Sequence, residues 1–224
     1  MAERSGADVK AVVRGHWNGR AATFDERPNH GIHADAQRRA WLALLGRVAG
    51  PVPKRALDLG CGTGFLALLL AELGHRVRGV DFADEMLAIA RRKAADAGLP
   101  VDFASGDAEA PDEPAGAYDL IVARHVVWTL PSPARALAAW RRLLAPDGRL
   151  ALVEGHGGGG PAAPEYEAIK EQLPFAGGPR AEQLVALLQE TGYTNVVEEP
   201  LMDPVLWGGP QTRTRYLVVA ERGA

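Results

Sequence analysis

Between Arg55 and Glu154 the chain alternates two hydrophobic rhythms. Short, nearly continuous apolar runs at Arg55–Leu59, Arg76–Val80, Val101–Ala104, Tyr118–Ala123 and Arg149–Glu154 predict buried strands. Helical spacing between them predicts helices over Phe65–Leu73, Asp84–Ala97 and Pro133–Leu144, and Gly74, Gly98 and Asp147-Gly148 stand where those helices should end. Strict alternation requires parallel strands joined by right-handed helical crossovers, so an α/β, doubly wound sheet is expected. Upstream, Ala36, Ala40, Trp41, Leu44, Leu45 and Val48 recur at helical spacing, and Gly50-Pro51 stops that helix. Val9 to Gly31 has only weak periodicity; its polar and aromatic residues, among them His16, Trp17, Arg20, Phe24, Asp25, Asn29 and His30, read as a lid. Downstream the pattern breaks over the glycine- and proline-rich stretch Gly155–Gly178. It resumes as a helix over Ala181–Thr191 and strands around Thr194–Glu198 and Arg215–Ala220. One domain over 1–224 is expected, with residues 1–50 as lid and helix and 155–180 as a substrate-side insertion. The Gly157–Gly160 run reads equally as a hinge or a passive surface loop.

Composition narrows the partners. A length of 224 residues suits a single domain with a sizeable core. A net charge of −3 lacks the basic footprint of a nucleic-acid binder, so no nucleic-acid partner is expected and a small molecule fits better. The one cysteine, Cys61, cannot form an internal disulfide and stands as a small neutral filler. Met1–Lys10 lacks the apolar core of a signal peptide, and Phe65–Ala71 is too short to span a bilayer; a cytoplasmic location without membrane association is expected. Nothing in the sequence chooses between monomer and homodimer.

The candidate chemistry centres on Ala56-Leu57-Asp58-Leu59-Gly60-Cys61-Gly62-Thr63-Gly64-Phe65, a strand breaking into a glycine turn and then a helix. Such a turn is expected to expose backbone N–H groups at the positive end of a helix, suiting an anionic or hydroxyl-bearing cofactor. The spacing is G-x-G-x-G, whereas the dinucleotide fingerprint places its third glycine one residue later, which argues against a pyrophosphate. Asp81 ends the next strand about 20 residues on, where a carboxylate can accept from ribose hydroxyls.

The run Leu57–Gly64 together with Val80-Asp81-Phe82 resembles the class I S-adenosylmethionine (SAM)-dependent methyltransferases. The resemblance extends from Leu57 to Ala220 and implies a Rossmann-like, seven-stranded sheet whose last strand is antiparallel. It implies SAM as cofactor, with S-adenosyl-L-homocysteine (SAH) as product. The loop Gly60-Cys61-Gly62 would approach the amino-acid part, Asp58 would order the loop, and Asp81 would bind the ribose. Phe82 and Met86 would lie beside the adenine, with Asp107 and the Ala108 N–H on its edge. Arg124 would sit near the methionine portion, and Arg20, in a segment resembling the family's closing element, would pair with the cofactor carboxylate. His125 is the expected base, followed by the lid residues His30, His33 and His16, because unperturbed histidine titrates in the useful range. No metal is expected: His30 and His33 lack a further ligand cluster. No Asn/Asp-Pro-Pro-Tyr/Phe run follows Ala123, which disfavours methylation of nucleic-acid bases. The expected activity is methyl transfer to O or N of a small molecule, with secondary metabolites favoured by the resemblance. The alternatives are a nicotinamide-dependent oxidoreductase and a non-catalytic SAM-binding accessory protein.

Overall fold

A computed structural model describes residues 6–157 and 164–223 of the chain. Seven strands, β1 (Arg55–Leu59), β2 (Arg76–Asp81), β3 (Val101–Ser105), β4 (Tyr118–Arg124), β5 (Leu144–His156), β6 (Thr194–Pro200) and β7 (Thr214–Glu221), form one sheet in the order β3-β2-β1-β4-β5-β7-β6. The first five are parallel to one another, while β7 runs antiparallel to both β5 and β6. The strand order reverses direction between β1 and β4, the switch point at which open sheets leave a crevice past their carboxyl ends.

Alternating side chains explain why the central strands read as continuous apolar runs. Ala56, Leu120, Val122, Ala151 and Val153 enter one core, while Leu57, Leu59, Ile121, Ala123, Leu150 and Leu152 enter the other. With both faces covered, apolar residues fill both parities, and the buried polar exceptions Asp58 and Glu154 stand toward the carboxyl ends of β1 and β5. The first core is closed by α2 (Asp35–Ala49), α3 (Phe65–Glu72) and α4 (Asp84–Asp96), the second by α5 (Pro133–Leu143) and α7 (Ala181–Glu190). Strand β5 begins at Leu144 rather than the expected Arg149: its first residues pair irregularly, with a register shift between Tyr118 and Leu120, so Asp147-Gly148 lies inside the strand.

The largest departure from expectation is at the amino-terminal side. Gly6–Phe24 is a 19-residue helix, α1, where periodicity suggested only a polar lid. Its buried stripe is narrow, consisting of Val9, Val13, His16 and Ala21, and it packs mainly on α4 and the segment around α6 (Pro164–Glu167) rather than on the sheet. Val9 and Val13 share a small core with Tyr166, Ile169 and Leu173, so this helix and the insertion cover the cavity together. The expected hinge lies outside the described residues from Gly158 onward. Among the described residues no helix is long and apolar enough to cross a membrane.

One further turn, α8 (Pro204–Trp207), anchors α2: Leu206 O accepts from Trp41 Nε1 at 2.7 Å and from Gln37 Nε2 at 3.2 Å. Trp207 is buried and donates to Leu201 O at 2.7 Å, leaving its ring to form part of the wall beside Arg215.

Candidate functional site

The crevice past β1, β2, β4, β5 and β7 is a cavity lined by the glycine loop, α1 and the residues that follow each strand. Its floor is Gly60-Cys61-Gly62. Gly60 N and Cys61 N both donate to Val80 O, Gly62 N donates to Asp81 Oδ2 at 2.8 Å, and Gly64 N donates to Cys61 O. The amides expected to meet a ligand are therefore largely consumed within the fold. What these glycines supply is close approach: Gly60 has φ +68°, and a Cβ there would lie 2.4 Å from Val126 Cγ2. Gly60→Ala combines that left-handed strain with an overpacked contact, and a loss of about 2–4 kcal/mol is expected. Thermal unfolding checks this as a fall of roughly 5–15 °C in Tm.

Two acids frame the loop. Asp58 is buried and accepts from Ala67 N at 3.0 Å, pinning the first turn of α3; burial pushes its carboxyl up to about 7. Asp81, also buried, accepts from Gly62 N and from Ala83 N, each at 2.8 Å, and burial raises its pKa as well. It thus ties β2, the loop and the start of α4 together while lining the cavity. Burial likewise raises the Cys61 thiol, consistent with an inert filler.

Past β3, Asp107 and Ala108 line the cavity beside Phe82 and Met86. Asp107 is already engaged: Oδ2 accepts from Lys10 Nζ at 2.7 Å, and Oδ1 accepts from Glu109 N at 2.9 Å. Lys10 also reaches Glu109 at 3.0 Å, and these two acids outweigh its burial and raise its pKa. Because Lys10 holds Asp107 in place, Asp107→Asn retains an acceptor at the same position. We expect a loss in SAH affinity of about threefold to tenfold in calorimetry, the range of one weakened hydrogen bond.

The amino-terminal segment closes the remaining side. Thr63 Oγ1 donates to Asp25 Oδ1 at 2.6 Å, and Asp25 Oδ2 accepts from Lys93 at 2.8 Å, latching the end of α1 to the loop and α4. Trp17, Phe24 and Trp128 form an aromatic wall, with Trp17 edge-on to both others. His30 stacks on Phe24 at 4.3 Å, and burial with the nearby Arg124 drives its pKa down to about 3.

The other end of the cavity is cationic. Arg124 lies over the Phe65 ring at 3.7 Å and donates to Asn29 O, while its other amino group is buried without a partner. Burial and Arg215 lower it to about 9. His125 adopts φ +57°, a conformation rarely held by non-glycine residues, which turns the chain from β4 across the cavity. Its Nε2 faces Arg215 NH1 at 3.2 Å and its Nδ1 lies 3.9 Å from Glu154. Burial and the neighbouring Arg124 and Arg215 hold it well below the usual imidazole range. Glu154 is fully buried; its Oε1 accepts from Val126 N and Val127 N at 2.9 Å, and its Oε2 has no hydrogen-bond partner, with His125 Nδ1 3.9 Å away. Burial pushes this carboxyl up to about 7, against the lowering effect of those two amides.

Ten of the expected positions therefore share the cavity with His125 and His30: Asp58, Gly60, Cys61, Gly62, Asp81, Phe82, Met86, Asp107, Ala108 and Arg124. Arg20 and His33 do not line it, which corrects two expectations. Helical phase places Arg20 on the flank of α1 that faces Glu165 and Tyr166. His33 is exposed, with Nε2 3.1 Å from Arg27 O. Sequence reasoning missed Lys10, Arg213 and Arg215, and took Asn29 only as part of the lid. It looked past the carboxyl ends of parallel strands, whereas Arg213 just precedes and Arg215 begins an antiparallel strand, β7, whose start reaches the same edge.

Residues 57–152 match the methyltransferase domain family. Among curated relatives, demethylmenaquinone methyltransferase of Thermus thermophilus is 48% identical over 104 residues, covering 46% of this chain and 47% of that protein. The S-adenosyl-L-methionine-dependent Diels-Alderase iccD of Talaromyces variabilis is 34% identical over 205 residues, 81% of this chain and 66% of that protein. The chain spans about half the length of the first of these. Among solved structures, the 1,6-didemethyltoxoflavin-N1-methyltransferase of Burkholderia thailandensis shares the fold at TM-score 0.71 and 21% identity, over 100% of this chain and 93% of that one.

Proposed function

We propose that the chain is a class I SAM-dependent methyltransferase, supported by its match to the methyltransferase domain family and by its curated relatives, and that it binds SAM and transfers the methyl group to an oxygen or nitrogen of a small molecule, a secondary metabolite by preference. The observation that carries this reading is the pairing of buried Asp81 with a glycine loop whose amides are consumed within the fold. That pairing suits ribose hydroxyls beside a loop of close approach and gives a pyrophosphate few donors, which sets the nicotinamide alternative aside.

When bound, SAM supplies a methyl group on a sulfonium whose leaving group is already good, so the protein has mainly to align and desolvate. Asp81 accepts from the ribose, and Phe82 and Met86 flank the adenine. Asp107 and the Ala108 N–H take its edge, while Asp58 holds the loop through α3. Arg124 offers its unpartnered N–H to the cofactor carboxylate. His125, which the sequence suggests as the base, has Nε2 occupied by Arg215 and is held neutral; its role here is the positioning of Arg215. Glu154 is the better base for a hydroxyl acceptor, because Oε2 is unpartnered and its pKa lies near neutrality.

Incubating the chain with SAM and a panel of hydroxyl- and amine-bearing metabolites, with SAH measured by mass spectrometry, tests the proposal. Absence of calorimetric binding of either SAM or SAH at micromolar protein would sink it. A second reading has one observation in its favour: the relative aligned over 81% of this chain is named a SAM-dependent Diels-Alderase. On that reading the cavity holds SAM and folds a polyene without methyl transfer. Consumption of a diene substrate with SAH staying at background would favour it.

A further inference from the structure

Arg215 projects from the start of β7 into the inner end of the cavity and is 6% exposed. The fold satisfies its guanidinium only in part. Its guanidinium lies over Trp207 at 4.8 Å, NH1 meets His125 Nε2 at 3.2 Å, and buried Nε has no partner at all. Space for it is made at Gly155, where a Cβ would stand 2.9 Å from Arg215 Cδ and 3.1 Å from NH1. A fixed plane with a vacant Nε edge is the arrangement by which arginine forms paired bonds with a carboxylate.

Among the described residues no carboxylate forms an ion pair with Arg215, and Glu154 is the acid whose charge reaches it. Arg124 and Arg213 line the same end; burial with the nearby Arg213 lowers Arg215 to about 10, and burial with Arg215 lowers Arg124 to about 9. Glu154 is the neighbouring acid, but its Oε1 is committed to two amides and burial keeps its pKa near 7. The segment 158–163 contains only glycine, proline and alanine, so it brings no acidic side chain. Buried cations without a counter-charge are costly, and a ligand anion offsets that cost.

We propose that the methyl acceptor carries a carboxylate, seated on the Nε edge of Arg215 and distinct from the cofactor's own carboxylate. This rests on the methyltransferase reading for the word acceptor, but the anion site stands on the geometry of Arg215. The two cations are adjacent stations: Arg215 NH1 meets His125, the residue after Arg124, and both guanidinium groups face Trp207, at 4.8 Å for Arg215 and 5.8 Å for Arg124. Strand order puts β4, which bears Arg124, nearer to β2 and Asp81 than β7 is, so Arg124 is assigned to the cofactor carboxylate and Arg215 to the acceptor. The acceptor's methylated hydroxyl or amine would then lie between them, beside Glu154.

Calorimetry on the full chain, with SAH present, tests the site using benzoate and its neutral isostere benzamide. The wild-type chain is expected to bind benzoate at least about tenfold more tightly, and Arg215→Met to bring the pair within about twofold while SAH affinity is retained. Retained SAH binding reports an intact fold. Should the methionine variant fail to fold, Arg215→Lys, which keeps charge but not the paired geometry, must still reduce the preference. Equal affinity for the two probes, no benzoate binding at millimolar concentration, or a preference that survives in the variants overturns the proposal. A loss of SAH affinity in Arg215→Met with unchanged affinity for 5′-methylthioadenosine, which lacks the amino-acid tail, would assign the anion to the cofactor and also overturn it. If SAH does not bind wild type, the methyltransferase reading fails, and the benzoate preference measured without cofactor still judges the anion site.

Discussion

Asp81→Ala is expected to weaken SAH binding by about 100-fold or more in calorimetry. A carboxylate accepting from two ribose hydroxyls makes charge-assisted bonds of about 1.5–3 kcal/mol each, and losing even the equivalent of two of the weaker ones exceeds two decades in affinity. The substitution also removes the acceptor for Gly62 N and Ala83 N, both at 2.8 Å, so the loop itself loosens. Asp81→Asn separates the two effects: its amide oxygen can still accept one of those N–H groups, and an intermediate loss of about tenfold is expected. Binding by Asp81→Ala within threefold of wild type, in a chain whose far-ultraviolet spectrum is unchanged, would remove Asp81 from the ribose role and with it the main support for the cofactor assignment.

The side of the cavity formed by the glycine loop and β2 was legible because its signals are local and backbone-driven. Asp58, Gly60, Gly62 and Asp81 lie at or just past strand ends in a parallel sheet, where sequence order and spatial order coincide. The central strands were legible because both their faces are buried. The same logic failed for α1, whose core-facing stripe is Val9, Val13, His16 and Ala21 amid polar positions; a helix that packs on another helix and an insertion needs no wide apolar face. It failed for Arg20 because the family resemblance concerned the segment as a whole, while helical phase turned this side chain toward Glu165. Arg215 was illegible for a topological reason: nothing in its local sequence records that an antiparallel strand brings its first residues to the edge where parallel strands end. His125 was placed correctly in the cavity, but its distant partners Arg215 and Glu154 alter its chemistry.

Those partners set up the second large effect. Glu154→Gln is expected to lower kcat for a hydroxyl acceptor by about 100-fold or more, the usual range for removing a general base. In wild type the base works only when ionised, so kcat/KM should rise with pH and level off above about 7, where burial has moved the carboxyl. The variant should lose that limb. Stability should move the opposite way. The folded pKa of Glu154 lies above its ordinary value of 4.5, so the folded state binds the proton more tightly than the unfolded one. The resulting penalty is absent below about 4.5, grows as pH rises toward about 7 and is fully present above that. Its size is on the order of 3 kcal/mol. Glutamine keeps an acceptor for Val126 N and Val127 N without a buried charge, so the variant should melt higher than wild type at pH 8, with the gap closing toward pH 4.5. Lower activity with higher stability is the signature of a base held at a cost to the fold. A variant that loses both would make Glu154 a structural cap for the turn after His125, and one that keeps full activity would mean that the acceptor needs no base.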